Sequence, residues 1–178
     1  MTGSNENIPL LRTDRLVLRA PNERDIPAWF ERATDRESAY LAGDPIPAGI
    51  AEGQAWLEKT LQKANVRERL LWSIDIRGGP VSIGTVGLSL KKSGISFVIG
   101  RSFWGRGYAT EAAGEVLKFG FEVLSLSEVG SEFVVENIGS RRVHEKLGFK
   151  HLKNFIDETD GAECERHILS KETIEEKR

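Results

Sequence analysis

The chain has 178 residues, with 25 Lys and Arg against 27 Asp and Glu and a formal net charge of −2. That length suits one domain, and that charge leaves no basic footprint for nucleic acid or for an anionic membrane surface. The single cysteine, Cys164, excludes an intrachain disulfide and suits a reducing compartment.

The start, MTGSNENIPL, carries neither a basic segment nor an apolar stretch, so no secretory signal is read and a cytoplasmic location is expected. Residues 1–9 are expected to be a loose tail, 10–170 the folded domain and 171–178 a charged tail. Leu16, Val17 and Leu18 sit among arginines as a first strand. Pro21 to Asp25 turns the chain into a helix that runs to about Ala33. Gly43-Asp44-Pro45-Ile46-Pro47 breaks the chain. The spacing of Leu57, Leu61 and Ala64 predicts an amphipathic helix over Glu52 to Asn65. Trp72, Ile74 and Ile76 alternate with polar residues and predict a half-buried strand. Gly78-Gly79 folds it back into a hairpin with 81–90, and Lys92-Ser93-Gly94 turns into a strand over Ile95 to Ile99. A glycine loop and a helix to about Leu124 follow, then a strand over Glu132 to Glu136. A short helix from Ser140 to Leu147 ends at Gly148, and two strands flank the turn pair Asp160-Gly161. The order implies one α+β domain with a mixed, mostly antiparallel central sheet flanked by helices.

The stretch Trp104-Gly105-Arg106-Gly107-Tyr108-Ala109-Thr110-Glu111-Ala112 carries the most chemistry. Glycines and a cation lead directly into helix-forming sequence. The first N–H groups of a helix have no partner within it, and the macrodipole puts positive charge behind them. Such a start holds anions, pyrophosphate above all. The loop is not the dinucleotide fingerprint, whose sixth position would fall on Thr110, and no Gly-Lys-Ser/Thr of a P-loop occurs. Asn137, Ser140 and His144 follow at spacings of three and four, which puts them on one helical face.

WGRGYATEA, followed by VENIGSRRVHEKLGF and preceded by TDRLVLRAPNERDIPAWFE, resembles the GNAT superfamily of acyl-CoA-dependent N-acetyltransferases. The branch it is most similar to contains the ribosomal-protein N-terminal (alanine/serine) acetyltransferases. The resemblance spans Arg12 to Leu169 and implies a sheet whose strands splay at a cofactor cleft. It implies acetyl-CoA as cosubstrate and no metal, and an amine acceptor, either a peptide N-terminus or a small amine. The protein is expected to work as a monomer or homodimer, with no nucleic acid and no membrane as partner. Main-chain groups of Val98, Ile99 and Gly100 are implied acyl-CoA contacts. The loop and helix start, Gly105, Arg106, Gly107, Tyr108, Ala109 and Thr110, are implied pyrophosphate contacts, with Asn137 and Ser140 beside the pantetheine arm. Trp104 stands where the family pattern has Gln or Arg, so binding is expected to rest on backbone amides. Asn137 reads equally as a helix N-cap.

His144 stands where many relatives carry a tyrosine that protonates the leaving thiolate, and a protonated imidazole is the expected general acid. The base is open: Glu132, Glu136 and Asp75 are near the implied cleft, and a water relay is preferred. The preferred reading is acetyl transfer to a primary amine of a protein or peptide. The alternatives are a small-molecule amine acetyltransferase and a catalytically weak acyl-CoA-binding sensor on the same fold.

Overall fold

The computed structural model describes residues 7–175. The chain opens with β1 (Leu11–Arg12) and β2 (Leu16–Arg19), passes a 3-10 turn into α1 (Ile26–Thr34), then α2 (Arg36–Ala42) and α3 (Glu52–Asn65). Next come β3 (Arg69–Ile76), β4 (Gly84–Ser89) and β5 (Gly94–Ile99), then α4 (Tyr108–Glu122) and β6 (Glu128–Val134). The chain continues through α5 (Ile138–Leu147), β7 (Lys150–Ile156), β8 (Glu163–Ser170) and α6 (Lys171–Glu175). Residues 1–6 and 176–178, parts of the two expected tails, lie outside the described residues, and the first five residues of the expected charged tail form α6. The packed domain begins earlier than residue 10: Ile8 is buried in the core, and the Pro9 carbonyl accepts the Trp72 indole N–H at 2.7 Å.

The strands form one sheet in the order β1-β2-β3-β4-β5-β6-β8-β7. Every neighbouring pair is antiparallel except β5 and β6, which run parallel and meet at a single register pair, Gly94 with Gly130. Beyond that rung no further register pair joins the two strands among the described residues, and the Ser131 hydroxyl donates to the Ile95 carbonyl at 3.1 Å where they part. The expected splay is therefore present.

The core lies between this sheet and α4. Ala112, Ala113, Val116, Leu117 and Phe121 form one buried stripe of the helix against Leu16, Leu18, Trp72, Ile74, Val86 and Leu88. Each large aliphatic side chain so buried contributes roughly 1.5–3 kcal/mol. The other sheet face is also covered, by α1, α2 and α3. That is why β3 is not half-buried as its alternation suggested: Leu71 and Ser73 are covered as fully as Leu70 and Trp72. Ser73 answers its burial by donating to Asp25 at 2.9 Å. Asp25 in turn receives the Arg19 guanidinium at 2.7 and 2.9 Å and the Asn22 N–H at 2.9 Å. Burial alone would raise its pKa, but these bonds hold it below the usual carboxylate range.

Three boundaries differ from the sequence reading. The stretch 36–42, left unassigned, is the helix α2: Asp35 caps it by accepting the Ser38 N–H at 2.8 Å, and Gly43 ends it in the left-handed region at φ 66°. β4 starts at Gly84 because Ser82 adopts φ 52° and breaks the hairpin arm. β6 lies at 128–134 rather than 132–136, since the turn from Val134 to Asn137 consumes the later residues.

Candidate active site

Two cavities open where β5 and β6 part. The first, about 500 Å³, runs along β5 to the start of α4 and is closed on its far side by α5. Gly107 enters α4 at φ 79°, and no side chain caps the helix. The first intrahelical bond is Glu111 N–H to the Gly107 carbonyl at 3.0 Å, so the N–H groups of Tyr108, Ala109 and Thr110 are left for a ligand. The turn is anchored from outside. Arg15 donates to the Arg106 carbonyl at 3.1 Å and to Glu111 at 2.6 Å, and its guanidinium lies 4.8 Å from the centre of the Tyr108 ring. Burial would raise the Glu111 pKa, but bonds from the Thr13 hydroxyl, the Arg15 N–H and the Arg15 side chain hold it down. An uncapped helix start on a rigid, glycine-lined turn fits a diphosphate. Across the cavity, Arg142 and Lys146 stand one turn apart on α5 and line it as well. Their i, i+4 spacing on the helix that carries Asn137 was the signal in the sequence, and it was passed over.

Gly105, Gly107, Tyr108, Ala109, Thr110, Ile99, Val98, Asn137 and Ser140 all line this donor cavity. Two expected residues do not. The Arg106 side chain is exposed and turned over the Phe103 ring, 5.9 Å from its centre, so the cation is away from the helix start. The Gly100 N–H is consumed by the Ile83 carbonyl at 2.8 Å. Antiparallel strands turn alternate residues to opposite neighbours. Gly100 and Val98 therefore direct their main chain to β4, and only Val98's side chain reaches the cavity. The main-chain groups of Phe97 and Ile99 face the cleft. The Ile99 carbonyl is already taken by the Trp104 indole N–H at 2.6 Å. This leaves the Phe97 N–H and C=O and the Ile99 N–H for a ligand. The main-chain contacts expected at Val98 and Gly100 thus move to Phe97, because hydrogen-bond phase depends on register with β4, which the sequence does not display.

The second cavity, about 650 Å³, lies between the sheet and α1, α2 and α3. The rings of Trp29 and Trp56 stack at 5.4 Å along one wall. The two cavities meet at Phe97, Val98, Asn137 and Ser140, which line both together with Ser38, Leu41 and Ala42 of α2. Asn137 has two roles in this junction. Its carbonyl oxygen caps α5 through the Ser140 N–H at 2.9 Å, and its amide donates to the Leu41 carbonyl at 3.0 Å, tying α2 to α5.

His144 lines the second cavity and is 1% exposed. Its ring stacks on Phe133 at 4.8 Å and 16°, with Phe149 edge-on at 4.8 Å and Phe97 at 5.6 Å. Burial in this aromatic box pushes its pKa down to about 4, although the Ser140 carbonyl, 2.6 Å from Nδ1, favours the charged form. The expected imidazolium acid is thus corrected: at neutral pH the ring is neutral. Nδ1 donates to Ser140, which leaves Nε2 as an acceptor, buried and without a partner. Two of the carboxylates considered as bases are engaged: Asp75 binds Arg19 at 2.7 Å and the Ser82 N–H at 2.7 Å, and Glu132 pairs with Arg166 at 3.3 Å. The charge of Glu136 lies close enough to the Tyr40 hydroxyl to raise its pKa.

The sequence profile of the acetyltransferase (GNAT) domain, Acetyltransf_3, matches residues 15–150. The uncharacterized N-acetyltransferase YoaA of Bacillus subtilis is 29% identical over 151 residues, 80% of this chain and 83% of YoaA. A GNAT-family acetyltransferase from Bacillus anthracis superposes with a TM-score of 0.79 at 20% identity, over 92% of this chain and 99% of that one. Spermidine N-acetyltransferase from Vibrio cholerae, solved with CoA and spermine, superposes with a TM-score of 0.78 at 16% identity, over 90% and 98%. At these identities the two structures establish a shared fold.

Proposed function

The chain belongs to the GNAT acetyltransferase family, and from that premise we propose that it moves the acetyl group of acetyl-CoA to a primary amine carried by a peptide or protein. The observation that supports this most is the pair of cavities meeting at Phe97, Val98, Asn137 and Ser140. One offers a phosphate-binding helix start and a free strand edge. The other offers an aromatic wall and a buried proton acceptor. A two-substrate transfer needs such a shared border. Exposed apolar residues lie along the segment that walls the second cavity: Tyr40, Ile46 and Ile50, each more than half exposed. They favour an acceptor larger than the cavity itself. No helix among the described residues is long and apolar enough to cross a membrane, and the lone thiol of Cys164 suits the cytoplasm as the working compartment.

In this reading the N–H groups of Tyr108, Ala109 and Thr110 hold the pyrophosphate, with Arg142 and Lys146 adding charge from the facing helix. The pantetheine amides pair with Phe97 along the free edge of β5 as an added strand. The Ile99 N–H polarises the thioester carbonyl and holds the oxyanion as the amine attacks. A C–N bond forms and the C–S bond breaks. The proton the amine loses passes to Nε2 of His144 and from there to the departing sulfur. With a pKa of about 4 the ring is a weak base that holds the proton only in passing, and handing it on to the thiolate is the favourable half of the relay.

The test is amine-dependent thiol release from acetyl-CoA across a panel of peptides and small amines. Peptide turnover well above hydrolysis is expected. Replacing His144 with Gln is expected to lower kcat about a hundredfold and to shift the Kd for CoA far less. Tight CoA binding with no amine-dependent thiol release would instead support the sensor alternative.

A further inference from the structure

The second cavity contains more positive charge than an ordinary amine site calls for. Arg32, Lys59, Lys63 and Arg69 line it against Asp44, Glu52 and Glu132. Two of those carboxylates are engaged elsewhere: Glu52 accepts the Ala48 N–H at 2.7 Å, and Glu132 pairs with Arg166. Of the cations, Lys63 pairs with Glu68 at 3.7 Å and Arg69 feels the charge of Asp44, which leaves Arg32 and Lys59 without a carboxylate partner among the described residues of the cavity. Arg32 is the unusual member. It is 8% exposed, and its Nη1 donates to the Ser82 carbonyl at 2.5 Å. Its Nη2 is buried with no partner, and among the described residues no carboxylate comes within ion-pairing distance. A buried guanidinium held only for structure is normally satisfied on all its edges. The Arg32 stem packs against Gly100, at the end of β5 and next to the Ile99 N–H that faces the cleft. Arg69 stands further down the same sheet face, donating to the Ser96 hydroxyl at 2.6 Å.

We infer that the acceptor carries a carboxylate close to its amine, and that Arg32, with Arg69, receives it as a specificity-determining pair. The inference rests on the acetyl-transfer reading of the site. A guanidinium meets a carboxylate through paired N–H bonds, and Arg32 has an unused edge for them. Its place beside the end of β5 puts the carboxylate within about one residue of the reacting nitrogen. Two sources share that chemistry: the α-carboxylate of a free amino acid, and an acidic side chain next to a peptide N-terminus. The same charge disfavours polyamines, which have only cationic groups to offer.

Acid and amide pairs test this in the wild-type protein: serine against serinamide, and Ser-Asp-NH2 against Ser-Asn-NH2. Rates are referred to the neutral fraction of each amine. In at least one pair the acid is expected to show a kcat/KM about tenfold or more above its amide, carried by KM. The pair that responds identifies the source of the carboxylate. Arg32→Gln is expected to bring the ratio toward one, and Arg32→Lys to restore part of it. Thermal melting and CoA titration report folding, and Arg69→Gln serves as the second variant if Arg32→Gln does not fold. Equal turnover of acids and amides, or a preference for amides, overturns the inference and leaves acetyl transfer intact. Thiol release that no amine raises above hydrolysis overturns the acetyl-transfer reading itself.

Discussion

Lowering the pH from 7 to 5 is expected to destabilise the protein through His144, and His144→Phe is expected to remove most of that effect. An unfolded imidazole titrates near 6.5, while in the folded protein the aromatic box and its burial hold it near 4. Below 6.5 the unfolded chain takes up a proton that the folded chain refuses. Stability is therefore unaffected above about pH 6.5, falls as the pH drops, and levels off near 4. The full gap is worth about 3 kcal/mol at about 1.4 kcal/mol per pH unit, of which about 2 kcal/mol is lost by pH 5. That is a large part of the roughly 5–15 kcal/mol of a typical domain. Asp25, Glu111 and Glu165 have depressed pKa values, so their contributions are present above the unfolded values of 3.8 to 4.5 and fade only below them. The difference between wild type and His144→Phe over pH 7 to 5 isolates the His144 imidazole, because Asp44, whose pKa burial raises, and the neighbouring His167 are present in both proteins. Phenylalanine keeps the ring that stacks on Phe133 and has no proton to bind. Urea titrations at the two pH values, for wild type and His144→Phe, measure the difference. Equal losses of stability in both proteins would refute the argument.

Other perturbations address the donor half and the thiol. Gly107→Ala forces a side chain into the left-handed region at φ 79°; it is expected to cost about 1 kcal/mol and to weaken CoA binding by calorimetry at least about tenfold. Arg142→Ala combined with Lys146→Ala is expected to raise the Kd for CoA about tenfold and to flatten its dependence on salt. Cys164 is buried, and burial with nearby carboxylates pushes its pKa up. DTNB is expected to titrate it at pH 8 only after unfolding; rapid reaction with the native protein would place the thiol elsewhere.

What the sequence displayed was local. Leu57, Leu61 and Ala64 marked α3 to the residue, and the glycines at 105, 107 and 148 marked a helix start and a helix end through conformations that other residues rarely adopt. What it hid depends on partners far along the chain. His144 has Glu145 and Lys146 as sequence neighbours, and nothing beside it marks its burial or its neutral state. Phe97, Phe133 and Phe149 bury it, and they come from β5, from β6 and from the turn after α5. Arg32 follows Glu31 on a helix and reads as solvated charge, until the sheet covers it. The main-chain direction at Val98 and Gly100 is set by pairing with β4, and a one-residue slip would have reversed it. The second helix, α2, is hidden because Asp35 is at once the C-cap of α1 and the N-cap of α2, so no loop residues announce a new start.

The single rung between Gly94 and Gly130 makes the sheet continuous in topology but thinly joined at its middle, where the shared core and the packing of α5 on α4 supply the rest of the contact. On one side, β1 to β5 are laced by antiparallel ladders; on the other, β6, β8 and β7 form their own three-stranded unit with α5. A ligand that bonds to the edge of β5 while its phosphates rest between α4 and α5 acts as a splint across the gap. Its binding energy then stabilises the boundary between two halves as well as the two surfaces it touches. Amide protons of α5 and β6 should accordingly slow their exchange with solvent when the cleft fills, more than those of β2 or β3, which are anchored whether or not the cleft is occupied.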